Sequence, residues 1–320
     1  MRRDGATHGF GRAGHSNKDM IVVRIKGGLG NQFFQYAAGK ALAERHGVPL
    51  YLDTRWYGAD CSRRATAART FDLPHFAVQA ARATAAELRF CFDSEDRRLR
   101  ARVGRRLPAW LVGRRTWICD GVGYNPEFEL LPANAFLEGY FQDPIYFAPI
   151  AAELKYEFRL RELPPTVADF AAKLSATPSV CIQVRRSDYV SNPMAALVHG
   201  ACGEDYYRAA WARVTSNIPN AQGYVFSDDQ AWAVQTFAGW PQISVVGAQW
   251  DGPAYLHKFH LMCACRHFII ANSTWGWWAA WLGEHPDKVV VMPTRWFRDE
   301  VRNEATLGLR IPGWIVCEIA

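Results

Sequence analysis

The sequence predicts an α/β protein built on doubly wound parallel sheets. Three observations carry that expectation. Apolar runs alternate with helical stretches through the second half of the chain, the pattern of successive β-α units. One of these runs, Ser179-Val180-Cys181-Ile182, reads as a strand covered on both faces. Directly after it comes Gln183-Val184-Arg185-Arg186-Ser187-Asp188. Adjacent arginines do not belong inside a core, but at the mouth of a parallel strand they face the crevice where α/β sheets bind ligands.

Taken from the N-terminus, residues 1–19 are polar and rich in Gly and Arg. They read as a disordered extension without the apolar segment of a secretory signal. Ile21–Lys26 is a strand that breaks at Gly27-Gly28-Leu29-Gly30. A helix runs from about Asn31 to His46 and ends at Gly47 and Pro49, residues suited to stopping one. Val48–Leu52 closes a β-α-β unit. From Asp53 to about Leu131 the pattern is irregular, with short helices expected among many arginines, and Ala135–Gly139 reads as a further strand. Pro144, Pro149, Pro164 and Pro165 bracket a segment expected to link two domains, 20–160 and 161–320. In the second, strands are expected at Val180–Val184, Gly223–Phe226, Ile243–Val246, Phe268–Ala271 and Val289–Met292. Helices fall between them at about Asp205–Asn217, Gln230–Phe237, Tyr255–Arg266 and Gly276–Gly283.

A length of 320 residues accommodates two domains. With 49% hydrophobic and 21% charged residues the composition is that of a globular protein. No apolar run reaches the roughly 18–20 residues that cross a bilayer. The eight cysteines form no C-x-x-C pair and no zinc-like spacing with His; reduced thiols fit a cytoplasmic location. The net charge of +6 is modest but clustered: arginines crowd the stretch from Arg97 to Arg115 around Leu107, Trp110 and Leu111. That stretch is either a basic amphipathic surface resting on the inner face of the membrane or a solvated helix face. No nucleic-acid reader motif accompanies it.

Four strand ends carry candidate chemistry. At the first, Arg185 and Arg186 have the planar fork that grips a diphosphate; surface ion pairs are the other reading. At the second, Gly28 and its neighbours let the chain turn sharply and a ligand approach, and the helix start offers free N–H groups to an anion. Asn31 and Gln32 add groups of the kind that read sugar hydroxyls. The spacing is neither a dinucleotide fingerprint nor a Walker loop. At the third, Asn272-Ser273-Thr274 precedes a helix and forms another anion cradle. Trp275 is positioned to stack on sugar or base, whereas Trp277 and Trp278 read as core. Asp228 and Asp229, at a further strand end, serve either a base edge or ribose or an N-cap. This convergence points to a nucleoside diphosphate.

Together these segments resemble the α-1,2-fucosyltransferases of glycosyltransferase family 11. Gly27 through Ala37 match G-G-L-G-N-Q-x-F-Q-Y-A, and Gln183 through Tyr189 match H-x-R-R-x-D-Y. His199-Gly200, Asp205-Tyr206-Tyr207, Phe226–Asp229, Leu261–His267 and Ile269–Leu282 match further motifs in the same order. The resemblance implies a GT-B-like fold of two Rossmann-like domains, the first shaping the acceptor site and the second binding GDP-fucose. It implies inverting transfer, without an obligatory metal or other cofactor, to a galactose-terminated oligosaccharide or lipid-linked glycan. By motif match Arg185 holds the phosphates with help from Ser273 and Thr274, and Asp228 or Asp229 contacts the guanosine. Three departures stand out: Gln183 replaces the leading His of its motif, Ser187 replaces a Gly, and His257-Lys258 stands where an acidic residue often precedes L-M-x-x-C.

Gln183 and Arg185 share one face of the strand, so Gln183 is expected to hydrogen-bond the nucleotide without acting as a base. Asp188 and His199 are the candidates for that role, with Asp188 alternatively orienting an arginine. His199 falls in a loop, Ser191–Gly203, with the composition of a mobile segment over a site. Two other functions remain open at this stage: a GDP-sugar transferase of different linkage, and a non-catalytic GDP-fucose or glycan binder.

Overall fold

The computed structural model describes residues 19–58, 69–89, 91, 92, 94, 103, 106, 115–119 and 121–318. Residues 1–18 of the N-terminal extension, and the basic stretch from Arg97 to Arg115 apart from the exposed Val103, Arg106 and Arg115, lie outside the described residues. Two parallel sheets organise the chain. The first contains β1 (Ile21–Arg24), β2 (Leu50–Asp53), β3 (Ala81–Arg82), β4 (Arg115–Cys119) and β5 (Ala135–Gly139) in the order β3-β2-β1-β5-β4. The second contains β6 (Ser179–Val184), β7 (Gln222–Ser227), β8 (Ile243–Val245), β9 (His267–Ile269), β10 (Val290–Pro293) and β11 (Ile315–Cys317) in the order β11-β10-β9-β6-β7-β8. Every neighbouring pair is parallel. Chain order runs outward from β1 and from β6 on one side and then resumes on the other. Each sheet therefore has a switch point, between β1 and β5 and between β6 and β9, where ligands enter such folds.

β3, β4 and β11 are additions to the sequence reading. All three sit at or near sheet edges. β3 is two exposed residues and β4 opens on an exposed arginine, so neither shows the buried-strand pattern.

The halves meet through helix packing. α1 (Leu29–His46) is buried along most of its length, and Gly47 ends it in a left-handed conformation at φ 63°. Phe34 of α1 lies 4.9 Å from Trp277 and 4.8 Å from Trp278, ring centre to ring centre. Phe147 stacks on Trp278 at 5.3 Å. Trp277 and Trp278 are fully buried, as core residues. The proline-bracketed segment is not an open tether. It folds into a 3₁₀ turn, Pro144–Ile150, and α2 (Ala151–Glu157), and Glu157 accepts from Tyr36 Oη and pairs with Lys40 of α1 at 3.4 Å. The reason is apolar: Tyr146, Phe147 and Ile150 are buried and gain more against α1 than in water. α3 (Pro165–Ala176) then leads into β6. No helix among the described residues is long and apolar enough to cross a membrane.

Candidate active site

Arg185 leaves the end of β6 and its guanidinium is fixed between two carboxylates. Nη1 donates to Asp228 Oδ2 at 2.7 Å and Nη2 to Asp188 Oδ1 at 2.5 Å. The guanidinium also stands 5.3 Å from the Tyr189 ring centre. Arg186, one residue on, lies over Trp232 at 4.2 Å, with Nε 3.5 Å from Asp229 Oδ2. Alternation at the strand end separates the two arginines, so only Arg185 joins the carboxylate pair.

The acidic pair takes the capping alternative. Asp228 Oδ1 accepts from Arg186 N–H at 2.8 Å and Ser187 N–H at 3.4 Å, which fixes the start of α4 (Ser187–Ser191). Asp229 Oδ1 accepts from Trp232 N–H at 3.1 Å, capping its own helix (Gln230–Thr236). Both side chains hold backbone and arginine. The cause is the unpaired N–H groups of two adjoining helix starts.

Three amide side chains also turn inward. Gln183 is buried and its Oε1 accepts from Ala271 N–H at 3.1 Å. A Cβ on Gly276 would lie 2.5 Å from that oxygen, so the helix starting at Thr274 closes over it. Asn272 Nδ2 lies 3.1–3.2 Å from the carbonyls of His199, Gly200 and Trp296. Gln32 is fully buried; its Nε2 reaches Gly27 O at 3.2 Å and Thr70 O at 2.8 Å, and its Oε1 accepts from Asp72 N–H at 2.9 Å. Buried backbone groups need partners, and these amides supply them through Gln183 Oε1, Asn272 Nδ2 and both ends of the Gln32 amide. Trp275 is half-buried, its indole N–H donating to Met262 Sδ at 3.3 Å.

The two helix starts converge. Gly28 caps α1, and a Cβ on Gly30 would fall 2.5 Å from Thr274 Oγ1; only glycine permits that approach. Ser273 and Thr274 open the facing helix, Thr274–Leu282, whose cap Ser273 makes no side-chain capping bond. Asn31 Oδ1 accepts from Gln142 Nε2 at 2.9 Å across the first switch point. The positive ends of both helices thus face one crevice.

His199 follows α5 (Pro193–Val198), so the expected loop is partly helical and is tied down by Arg298 N–H donating to Val198 O at 2.9 Å. The imidazole stacks on Tyr189 at 4.5 Å and meets Phe297 at 5.0 Å. Nδ1 has no hydrogen-bond partner. Burial pushes its pKa below the ordinary histidine value, and the Asp188 carboxylate and the Trp296 backbone partly offset this. A cavity of about 640 Å³ opens beside it, lined by Gly200, Thr294, Arg295, Phe297 and Arg298.

Asp188 accepts from Arg185 through one oxygen and from Arg69 Nη2 through the other, at 3.5 Å. This is the orienting alternative of the sequence reading. Arg69 and Tyr189 are the residues that reading passed over. Arg69 stands in an arginine-rich stretch with nothing local to single it out. Tyr189 was visible only as the end of a motif; burial raises its pKa to about 12. Among the described residues no group of three or more His, Cys, Asp or Glu is arranged to hold a metal ion.

Two doubly wound sheets whose strand-end loops meet at arginine–carboxylate pairs make the GT-B class of glycosyltransferase fold. Arabidopsis thaliana FUT1, solved in complex with GDP, shares it with a TM-score of 0.51 over 85% of this chain and 70% of that one, at 12% identity. Residues 124–318 match the profile of glycosyl transferase family 11. The O-antigen biosynthesis glycosyltransferase WbnK of Escherichia coli is 32% identical over 88% of this chain and 97% of its own length. An α-1,2-colitosyltransferase of Escherichia coli is 27% identical over 89% of this chain and 94% of its own length. The chain belongs to glycosyltransferase family 11.

Proposed function

We propose that the protein transfers L-fucose, with inversion, from GDP-fucose to the 2-hydroxyl of a terminal galactose on an oligosaccharide or lipid-linked glycan. The observation that carries this reading is Arg185, held by Asp188 and Asp228 at the mouth of β6 in a chain of this family. As the anomeric C–O bond to the phosphate breaks, charge grows on GDP, and Arg185 with the two helix starts opposes it. The sugar passes through an oxocarbenium-like state while the galactose 2-hydroxyl forms the new bond and gives up its proton. His199 takes that proton: burial favours its neutral form and its ring borders the open cavity, whereas both oxygens of Asp188 are engaged by arginines. Asn31 and Gln142, at the first switch point, are positioned for acceptor hydroxyls. The WbnK relative supports a surface-glycan acceptor, and the colitosyltransferase relative supports a second reading in which the donor sugar is colitose.

The test is incubation with GDP-fucose or GDP-colitose and a panel of β-galactosides, with linkage analysis of the product. A new α-1,2-fucosyl bond is expected, in EDTA as well as without it. Transfer that EDTA abolishes and Mg²⁺ or Mn²⁺ restores would reject the metal-free reading. Tight GDP binding with no GDP release under any condition would favour a non-catalytic binder.

Gln183→His is expected to keep near-native turnover, because a neutral imidazole nitrogen accepts the Ala271 N–H as the amide oxygen does. Gln183→Ala strands that N–H and is expected to cost about 1–3 kcal/mol of stability, read from the denaturant midpoint. A gain of orders of magnitude in turnover for Gln183→His would mark the natural chain as catalytically impaired.

A further inference from the structure

We propose that Arg69 is a donor-binding residue, gripping the terminal phosphate of the nucleoside diphosphate from the first sheet's side while Arg185 grips it from the second. This rests on the donor reading above and extends it to a residue that no motif marks. Arg69 stands beside the start of α1: a Cβ on Gly28 would lie 3.5 Å from its Nη1. Its Nη2 is 3.5 Å from Asp188 Oδ2, the outer limit of a hydrogen bond. Asp188 Oδ1 meanwhile accepts from Arg185 at 2.5 Å. One carboxylate therefore draws together guanidinium groups that come from opposite halves of the molecule.

Two carboxylates, Asp188 and Asp228, face the two guanidinium groups, and of these Asp188 alone bonds both arginines. The two guanidinium groups are largely buried, with side chains 27% and 19% exposed, and like charges in such a crevice repel. Burial and the nearness of Arg185 both weaken the hold of Arg69 on its proton, and Asp188 and Asp228 offset this only in part. Asp228 is already engaged by Arg185 and by the backbone of residues 186 and 187. Among the described residues Asp188 is the only hydrogen-bond partner of Arg69, so most of its N–H groups are available to a ligand. A phosphate can accept from both arginines at once and from the start of α1. In the donor reading the nucleoside belongs to the second sheet, so the phosphate that reaches Arg69 is the terminal one, bonded to the sugar. A purely structural Arg69 would instead be a tie between the two halves, and ligand length separates the alternatives.

The experiment is calorimetric titration of the full chain, wild type, Arg69→Ala and Arg69→Lys, with guanosine, GMP and GDP. Arg69→Ala is expected to weaken GDP about 10–100-fold, the worth of a hydrogen bond to a charged group. Guanosine and GMP should bind as in the wild type, and Arg69→Lys should fall between, because a point charge does not reproduce the fork. Unchanged GDP affinity in Arg69→Ala overturns the proposal. So does an equal loss for all three ligands, the result of a structural tie. If the wild type binds the uridine or adenosine series instead, the donor reading fails by itself, and the same nucleoside, monophosphate and diphosphate comparison in that series decides the role of Arg69.

Discussion

Arg185→Ala is expected to lower turnover by about 10²–10³-fold, the loss typical of a donor aimed at charge that develops in the transition state. The guanidinium is clamped by Asp188 and Asp228 at 2.5 and 2.7 Å, so it does not have to reorganise as the leaving diphosphate gains charge. Arg185→Lys should be nearly as poor. The ammonium is a point charge on a flexible stem and cannot span both carboxylates while meeting a phosphate. The measurement is GDP release at saturating donor and acceptor, with thermal unfolding as a control for the two carboxylates left without their partner. Near-native turnover in either variant would remove Arg185 from the reaction.

His199→Ala is expected to lower turnover by about 10²–10⁴-fold, the usual worth of a positioned general base. The pH profile offers a sharper reading. A base works unprotonated, so activity falls as pH drops through its folded-state pKa. Burial lowers the pKa of His199, which moves the acid limb of kcat/KM below the ordinary histidine value of about 6.5 and leaves the neutral range flat. His199→Ala should abolish that limb along with the rate. An acid limb that persists in His199→Ala would transfer the role to a carboxylate, Asp188 first.

The motifs disclosed where the site lies better than what each residue does. Arg185, the turn at Gly28 and the cradle at Ser273 were legible because a strand end, a glycine and a helix start are local features. Gln32, Gln183 and Asn272 were ambiguous in the sequence because an amide suits a sugar hydroxyl and a backbone group equally well. All three are at most 4% exposed and bond backbone groups. Asp228 and Asp229 posed the same choice, and both accept from bare N–H groups at the starts of two helices. Arg69 left no sequence signal, since its meaning lies in a carboxylate 119 residues away.

By itself the sequence determined the α/β alternation, the order of the principal strands and the strand-end arginine, all of which follow from short-range periodicity and the conformational limits of glycine. Only the tertiary structure decided which polar side chains turn inward and how the halves join. Phe33 and Phe34 pack on Trp278, and Gly30 lets α1 approach Thr274. That packing brings Arg69 and Arg185 onto one carboxylate, a long-range outcome of burying aromatic surface that no local pattern encodes.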